Sequence, residues 1–228
     1  MSEIVRMMMV AIAVEMAAFA GGKENPMLAV DILAGRHLSY FFCHDASQDA
    51  VAETFSLSNG VLTANAAHAL VLECPERYDY ENFALFAEVR YGSGGFADSG
   101  LQFCMEDIPG KNGIRKRMEY QLKTVDIGDG WGLGGIRAAR SAGAPYLKPN
   151  AAGDVRIRRQ SAPVWISGVW HKVSVIKEGN RFSFFFDGKI INTFVVDAAT
   201  GGWIGFQTKP YPEGRGVVSF KNVKIMQL

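Results

Sequence analysis

Cysteine is scarce in this chain: three residues, Cys43, Cys74 and Cys104, in 228. An odd count at wide spacing excludes a disulfide framework, and no Cys-x-x-Cys pair offers a metal knuckle. One bridge, such as Cys43 to Cys74, stays open beside the alternative of three buried free thiols. No charge of one sign dominates either, since 24 Lys and Arg stand against 23 Asp and Glu, for a net charge of +1. That balance argues against a nucleic-acid partner, whose recognition depends on neutralising phosphates. Long apolar runs are missing after the N-terminus, so no later segment could span a bilayer as a helix. Internal repeats and low-complexity tracts are lacking as well, which favours one domain over an array.

What is present suits a globular protein rich in turns and strands. Hydrophobic residues make up 48%, and there are 25 glycines and 15 phenylalanines. At the N-terminus Arg6 precedes the apolar run 7–14, and Ala18-Phe19-Ala20 resembles an A-x-A cleavage site. This reads as a secretory signal peptide, with Glu15 as an interruption; the alternative is an amphipathic helix packed on the domain. Export to the periplasm or the outside is expected on the first reading, a cytoplasmic location on the second. Residues 1–25 are therefore assigned to a leader or N-terminal helix plus linker, and residues 26–228 to a single β-sandwich domain.

Strand patterns recur along the rest of the chain. Thr54 to Ala64 reads as a hairpin whose Asn59-Gly60 supplies the positive φ angles of a tight turn. Phe83 to Tyr91 alternates apolar residues on one face, and Asp187-Gly188 turns one strand into another. Residues 126–154, rich in Gly, Ala, Asp and Pro, read as a long loop of the kind that carries function. About a dozen strands and no strong later helix predict an all-β antiparallel sandwich or jelly roll.

The segment Met118-Glu119-Tyr120-Gln121-Leu122-Lys123-Thr124 alternates with period two. Met118, Tyr120 and Leu122 then point into a core, and Glu119, Gln121 and Lys123 line the other face. A carboxylate, an amide and an amine in a row form a polar ligand surface. Trp131, set between Gly130 and Gly132, is a candidate platform for a sugar ring or else a loop anchor. Asp98 is a candidate ligand-binding residue or a shaper of its Gly-rich turn. Trp170 and Trp203 lie in strand patterns and are expected in the core, with His171 then facing the opposite way. The Arg156-x-Arg158-Arg159 cluster is a solvated face or a contact for an anionic substrate.

The order of several motifs resembles a known family. These are Leu33-Ala34-Gly35-Arg36-His37-Leu38, Asn59-Gly60-Val61-Leu62-Thr63, Tyr80-Glu81-Asn82-Phe83-Ala84-Leu85, Ser99-Gly100-Leu101-Gln102-Phe103 and Glu119-Tyr120-Gln121-Leu122. In the second half Gly168-Val169-Trp170-His171, Asp187-Gly188-Lys189, Gly205-Phe206-Gln207 and the strand 218–225 continue the pattern. Over residues 30 to 228 the chain resembles the 3-keto-disaccharide hydrolase family. The resemblance implies the concanavalin-A-like lectin/glucanase sandwich, export, and a carbohydrate substrate, with some members cleaving glycosides oxidised at the sugar 3-position. It also implies that the Glu-x-Gln strand lies on the concave face, so that Glu119 and Gln121 inherit the site. Three places depart from the family pattern: Ala97-Asp98-Ser99-Gly100 replaces Gly-Asn-Ser-Gly, Cys104 or Met105 stands where an Arg is usual, and Trp170-His171 replaces Trp-Asn.

On this resemblance the expected activity is cleavage of 3-keto-glycosides by a hydrolase or lyase. Glu119 is the expected general base, with Gln121 and Arg117 also in the catalytic set. Asp98, Trp131, Lys123 and His171 are the expected substrate-binding residues. Arg117 or Lys123 would stabilise a developing enolate. A divalent metal held by groups such as His171 and Asp98 would do the same, but no metal-ligand spacing appears, so no metal or other cofactor is assigned. Glu119 has no acidic partner at Glu-x-Asp-x-x-Glu spacing on its strand, which weighs against an ordinary two-carboxylate glucanase. The alternative is a non-catalytic carbohydrate-binding sandwich.

Overall fold

The computed structural model describes residues 29–44, 46–92, 98–107, 115–124, 135–139, 154–157, 159–195, 201–210 and 216–228. Fourteen strands run through them: β1 Val30–Asp31, β2 Phe55–Ser58, β3 Val61–Ala64, β4 Leu70–Tyr78, β5 Phe83–Tyr91, β6 Asp98–Asp107, β7 Arg115–Gln121, β8 Ile136–Ala139, β9 Asp154–Ile157, β10 Trp170–Glu178, β11 Arg181–Phe186, β12 Lys189–Val195, β13 Gly202–Lys209 and β14 Val218–Gln227. All their pairings are antiparallel and build two sheets. One has the order β12-β11-β10-β5-β14-β3-β2, with β1 added on β14; the other runs β4-β13-β6-β7-β8-β9. The expected antiparallel sandwich is the observed architecture.

Period-two patterning explains the packing. In β5, Phe83, Leu85, Ala87, Val89 and Tyr91 all enter the main core, as do Met118, Tyr120 and Leu122 from β7 and its extension. Between the sheets, Phe103 lies 6.1 Å from Phe184, and Phe184 meets Tyr120 edge to face at 5.4 Å. Such edge-to-face and offset geometries add to the burial of the rings themselves. Tyr120 also donates its hydroxyl to the Phe185 carbonyl at 2.9 Å, which ties β7 to the facing sheet. A smaller apolar cluster of Ala84, Phe86, Ile176, Phe185 and Met226 forms on the other side of the first sheet.

The tight turns follow the sequence. Asn59 and Gly60 adopt φ of 50° and 71°, and Asp187 and Gly188 adopt 47° and 74°, the paired positive values of a type I′ hairpin. Two elements differ from expectation. Gln48–Thr54 is a short helix, α1, whose N-cap Ser47 accepts a hydrogen bond from the Ala50 amide. Ile136–Ala139 is a strand inside the stretch expected as loop, because the β7 and β9 ladders supply the pairing that its Ala-rich sequence does not advertise. All three cysteines are free thiols, so no Cys43–Cys74 bridge forms.

Candidate functional site

The outer face of the six-stranded sheet gathers polar residues from β13, β6 and β7. Because Met118 and Tyr120 are core residues, Glu119 and Gln121 take the opposite face. Solvent does not reach that face freely, for Glu119 is only 2% exposed, Gln102 0% and Gln121 1%. A buried carboxylate demands partners. Gln102, directly opposite Glu119 in register, donates its Nε2 to Glu119 Oε2 at 3.2 Å. Gln121 donates its Nε2 to Asp98 Oδ1 at 3.2 Å. Each of the two strands therefore contributes one carboxylate and one amide, and the pairs cross between them.

These two hydrogen bonds fix the amide orientations, since a carboxylate accepts only from the nitrogen end. The oxygen ends are left over. Gln102 Oε1, Gln121 Oε1 and Gln207 Oε1 are buried without a hydrogen-bond partner. Gln207 belongs to the same face, two residues from Gly205, and pairs in register with Gly100 of β6. An acceptor withheld from water and left unpaired costs about 1–3 kcal/mol. Three on one face form a set of open acceptors, to which hydroxyl or amine donors are complementary.

Gly100 shapes the floor. A Cβ there would fall 2.6 Å from Glu119 Oε1, so the glycine lets the carboxylate lie across β6. Lys123, 7% exposed, and half-buried Arg117 share the parity of Glu119 along β7 and its extension. Asp98 is half-buried at the start of β6. The structure thus brings together Glu119, Gln121, Asp98, Lys123 and Arg117 from the sequence candidates, and adds Gln102 and Gln207. Those two sat in strand patterns without a charge to single them out. Trp131 lies outside the described residues.

His171 is not brought to this face. It belongs to β10 in the other sheet, 3% exposed, with Nδ1 donating to Asp187 Oδ2 at 2.7 Å and Nε2 accepting from the Ile166 amide at 2.9 Å. Both ring nitrogens are occupied by the protein itself, and the ring packs 4.9 Å from Phe186. His171 and Asp98 therefore do not form one ligand set, and among the described residues no group of three or more His, Cys, Asp or Glu is placed to hold a metal ion.

The two strand tryptophans are corrections. Neither enters the core. Trp170 lies half-buried on the outside of the first sheet, with Arg90 at 4.7 Å and Lys221 at 4.3 Å from its ring. Cation–π contacts from two side chains make that position comfortable for an aromatic outside the core. Trp203 is half-buried on the face that carries Glu119, since its neighbours Gly202 and Ile204 alternate away and Ile204 is a core residue. Arg77 covers it at 4.8 Å.

A family model described as the 3-keto-alpha-glucoside-1,2-lyase-like domain matches residues 35–226. The chain belongs to this family. Among proteins of curated function none matches the chain. Among solved structures, an inferred glycosyl hydrolase from Parabacteroides distasonis ATCC 8503 is similar at 19% identity and a TM-score of 0.58, over 88% of this chain and 100% of that one. The carbohydrate-binding module CBM66 from Bacillus subtilis is similar at 11% identity and a TM-score of 0.51, over 82% and 96%. A kappa-carrageenase from Pseudoalteromonas carrageenovora, in complex with an oligosaccharide, is similar at 8% identity and a TM-score of 0.54, over 91% and 100%. These likenesses show the fold, a lectin- and glucanase-like jelly roll. No helix among the described residues is long and apolar enough to cross a membrane.

Proposed function

We propose that this protein acts on carbohydrates by cleaving 3-keto-glycosides, with Glu119 as the general base. The observation that carries the reading is the buried Glu119 carboxylate, oriented by Gln102 on a face lined with unpaired amide oxygens. Membership of a 3-keto-glucoside lyase-like family supports it.

A ketone at C3 acidifies the hydrogen at C2. Glu119 would take that proton, and the electron pair would pass into the C2–C3 enolate. Arg117 and Lys123, at the same parity of the strand, would supply positive charge near the enolate oxygen. Expulsion of the C1 oxygen substituent then breaks the glycosidic bond, and water adds to the resulting enone. Gln102, Gln121 and Gln207 would hold ring hydroxyls through their unpaired oxygens. Proton abstraction needs only one carboxylate at the reacting carbon, which fits a strand lacking the paired glutamates of a direct glycosidase.

A non-catalytic carbohydrate-binding role is the second reading. It is favoured by Trp203, an aromatic ring on the same face as the amides. The deciding experiment is release of nitrophenol from a 3-keto-nitrophenyl glucoside by wild type and by Glu119→Gln. Release that collapses in the variant supports the enzyme with Glu119 in its chemistry. Release by both removes Glu119 from that role. No release, with or without added divalent cations, leaves the binding role.

A further inference from the structure

Two rows of the register cross the face of Glu119. In one, Gln207 of β13 and Gln121 of β7 stand on either side of Gly100 of β6. In the next, Gly205 of β13 and Glu119 of β7 stand on either side of Gln102. Neighbouring strands lie about 4.8 Å apart, so about 10 Å separates the backbones of Gln207 and Gln121, the span of one hexose with its hydroxyls. The three glutamines therefore surround the notch at Gly100. The Glu119 carboxylate lies in that notch, where a Cβ on residue 100 would meet Oε1 at 2.6 Å.

The polarity of this ring of amides is one-sided. Gln102 Nε2 is committed to Glu119 and Gln121 Nε2 to Asp98. What those two amides turn elsewhere is an oxygen, and Gln102 Oε1, Gln121 Oε1 and Gln207 Oε1 are buried without a hydrogen-bond partner. An amide oxygen accepts and never donates. A hydroxyl or ammonium hydrogen completes it. An ether, ester, sulfate or fluorine in the same place sets two partial negative charges against each other.

We propose that these three amides select the ligand by its hydrogen-bond donors. The site takes a sugar whose hydroxyls are unsubstituted, or one that carries a protonated amine in their place. It rejects sugars that are O-methylated, O-acylated or O-sulfated at those positions. This rests on the carbohydrate reading above and sets the substrate class within it. The 3-keto oxygen is itself an acceptor, so it belongs outside the ring of amides, which read hydroxyls on other carbons. A site built to pair a donor discriminates strongly against an analogue that lacks one, because its buried polar group is then left unpaired.

The test is calorimetric titration of wild type with two parents that the proposed elimination cannot cleave. Methyl glucoside has no ketone, and 1,5-anhydro-3-keto-glucitol has no leaving group. On the parent that binds, each hydroxyl is replaced in turn by hydrogen, fluorine, methoxy and amino groups. At the positions read by the amides, the deoxy, fluoro and methoxy analogues should each lose on the order of tenfold or more in affinity, the fluoro no less than the deoxy. Tighter binding of the amino analogue assigns the donor as an ammonium, and equal or weaker binding assigns it as a hydroxyl. Gln207→Leu leaves the two amide–carboxylate pairs in place and should cancel the deoxy penalty at one position. Gln207→Glu keeps an acceptor there and should preserve it. Melting temperatures equal to that of wild type establish that the variants fold; the wild-type series decides by itself if they do not. Fluoro or methoxy analogues that bind like the parent at every position, or deoxy penalties unchanged throughout in folded Gln207→Leu, would overturn the proposal. Binding of neither parent counts against the carbohydrate reading, and the proposal falls with it. Binding of a parent with fluorine tolerated counts against the proposal alone.

Discussion

Gly100 and Glu119 occupy one site between them: the carboxylate lies where a side chain on residue 100 would begin. A Cβ at Gly100 would come within 2.6 Å of Glu119 Oε1 and 2.7 Å of its Cγ. Gly100→Ala should therefore push Glu119 off β6 and break its alignment with Gln102, because a contact under 3 Å cannot be absorbed without movement. The expected outcome is a fall in 3-keto-glucoside turnover of tenfold or more, about 1.4 kcal/mol in the barrier. The melting temperature should change by only a few degrees. Turnover and thermal unfolding measured together check it, and unchanged turnover would show that Glu119 is not held where the reaction needs it.

On the proposed reading Gln102 has two duties, one to Glu119 and one to the sugar. Gln102→Leu removes the donor from a buried carboxylate and the acceptor from the face at once. Sugar affinity should weaken about tenfold, and stability should fall by about 1–3 kcal/mol from the carboxylate left without its amide. Calorimetric titration and denaturant unfolding read the two effects separately. A variant with lower stability and unaltered affinity would confine Gln102 to orienting Glu119.

The two outward tryptophans should behave oppositely. Trp203 shares the face with the amides, so Trp203→Ala should weaken sugar binding by about 1 kcal/mol while costing little stability. Trp170 is on the opposite side of the molecule and sits under Arg90 and Lys221. Trp170→Ala should lose about 1–2 kcal/mol of stability from its two cation–π contacts and leave binding untouched. Parallel titrations and melts of the two variants decide it, and equal binding loss in both would refute the assignment of faces.

Alkaline pH should destabilise the protein through Cys104. Burial pushes its thiol up from its ordinary value of 9.0 to about 12. The folded state thus holds the proton more tightly than the unfolded chain. Its stabilising contribution is complete below about pH 9 and is lost progressively as pH rises from 9 toward 12. Cys104→Ala should flatten the decline of unfolding free energy across that window, whatever its effect at pH 7. Denaturant melts at steps from pH 7 to 10.5 measure the slope, and identical slopes would contradict the assignment.

Much of this was legible in the alternation of apolar and polar residues. Period two placed Met118, Tyr120 and Leu122 inside and Glu119, Gln121 and Lys123 outside, and the two type I′ turns were visible as Asn-Gly and Asp-Gly. The same rule failed for Trp170 and Trp203, because hydrophobicity alone does not tell which face of a strand an aromatic takes when a cation covers the outer one. Strand β8 was hidden because its pairing energy comes from neighbouring strands rather than from its own residues. Gln102 and Gln207 were overlooked since an amide in a strand carries no signal until the register shows what lies beside it. His171 looked like a site residue by type, but the Asp187 and Ile166 groups that occupy its nitrogens are close only in the fold.

The hydrogen bond from Tyr120 to the Phe185 carbonyl joins the strand of Glu119 to the far sheet, at the bulge that interrupts the β11–β12 ladder. It works as a rivet through the thickness of the molecule. The residues on either side of Glu119 along the chain, Met118 and Tyr120, are committed to the interior. Evolution can therefore redraw the neighbouring strands and change which sugar is received, while the backbone that aims the carboxylate keeps its depth.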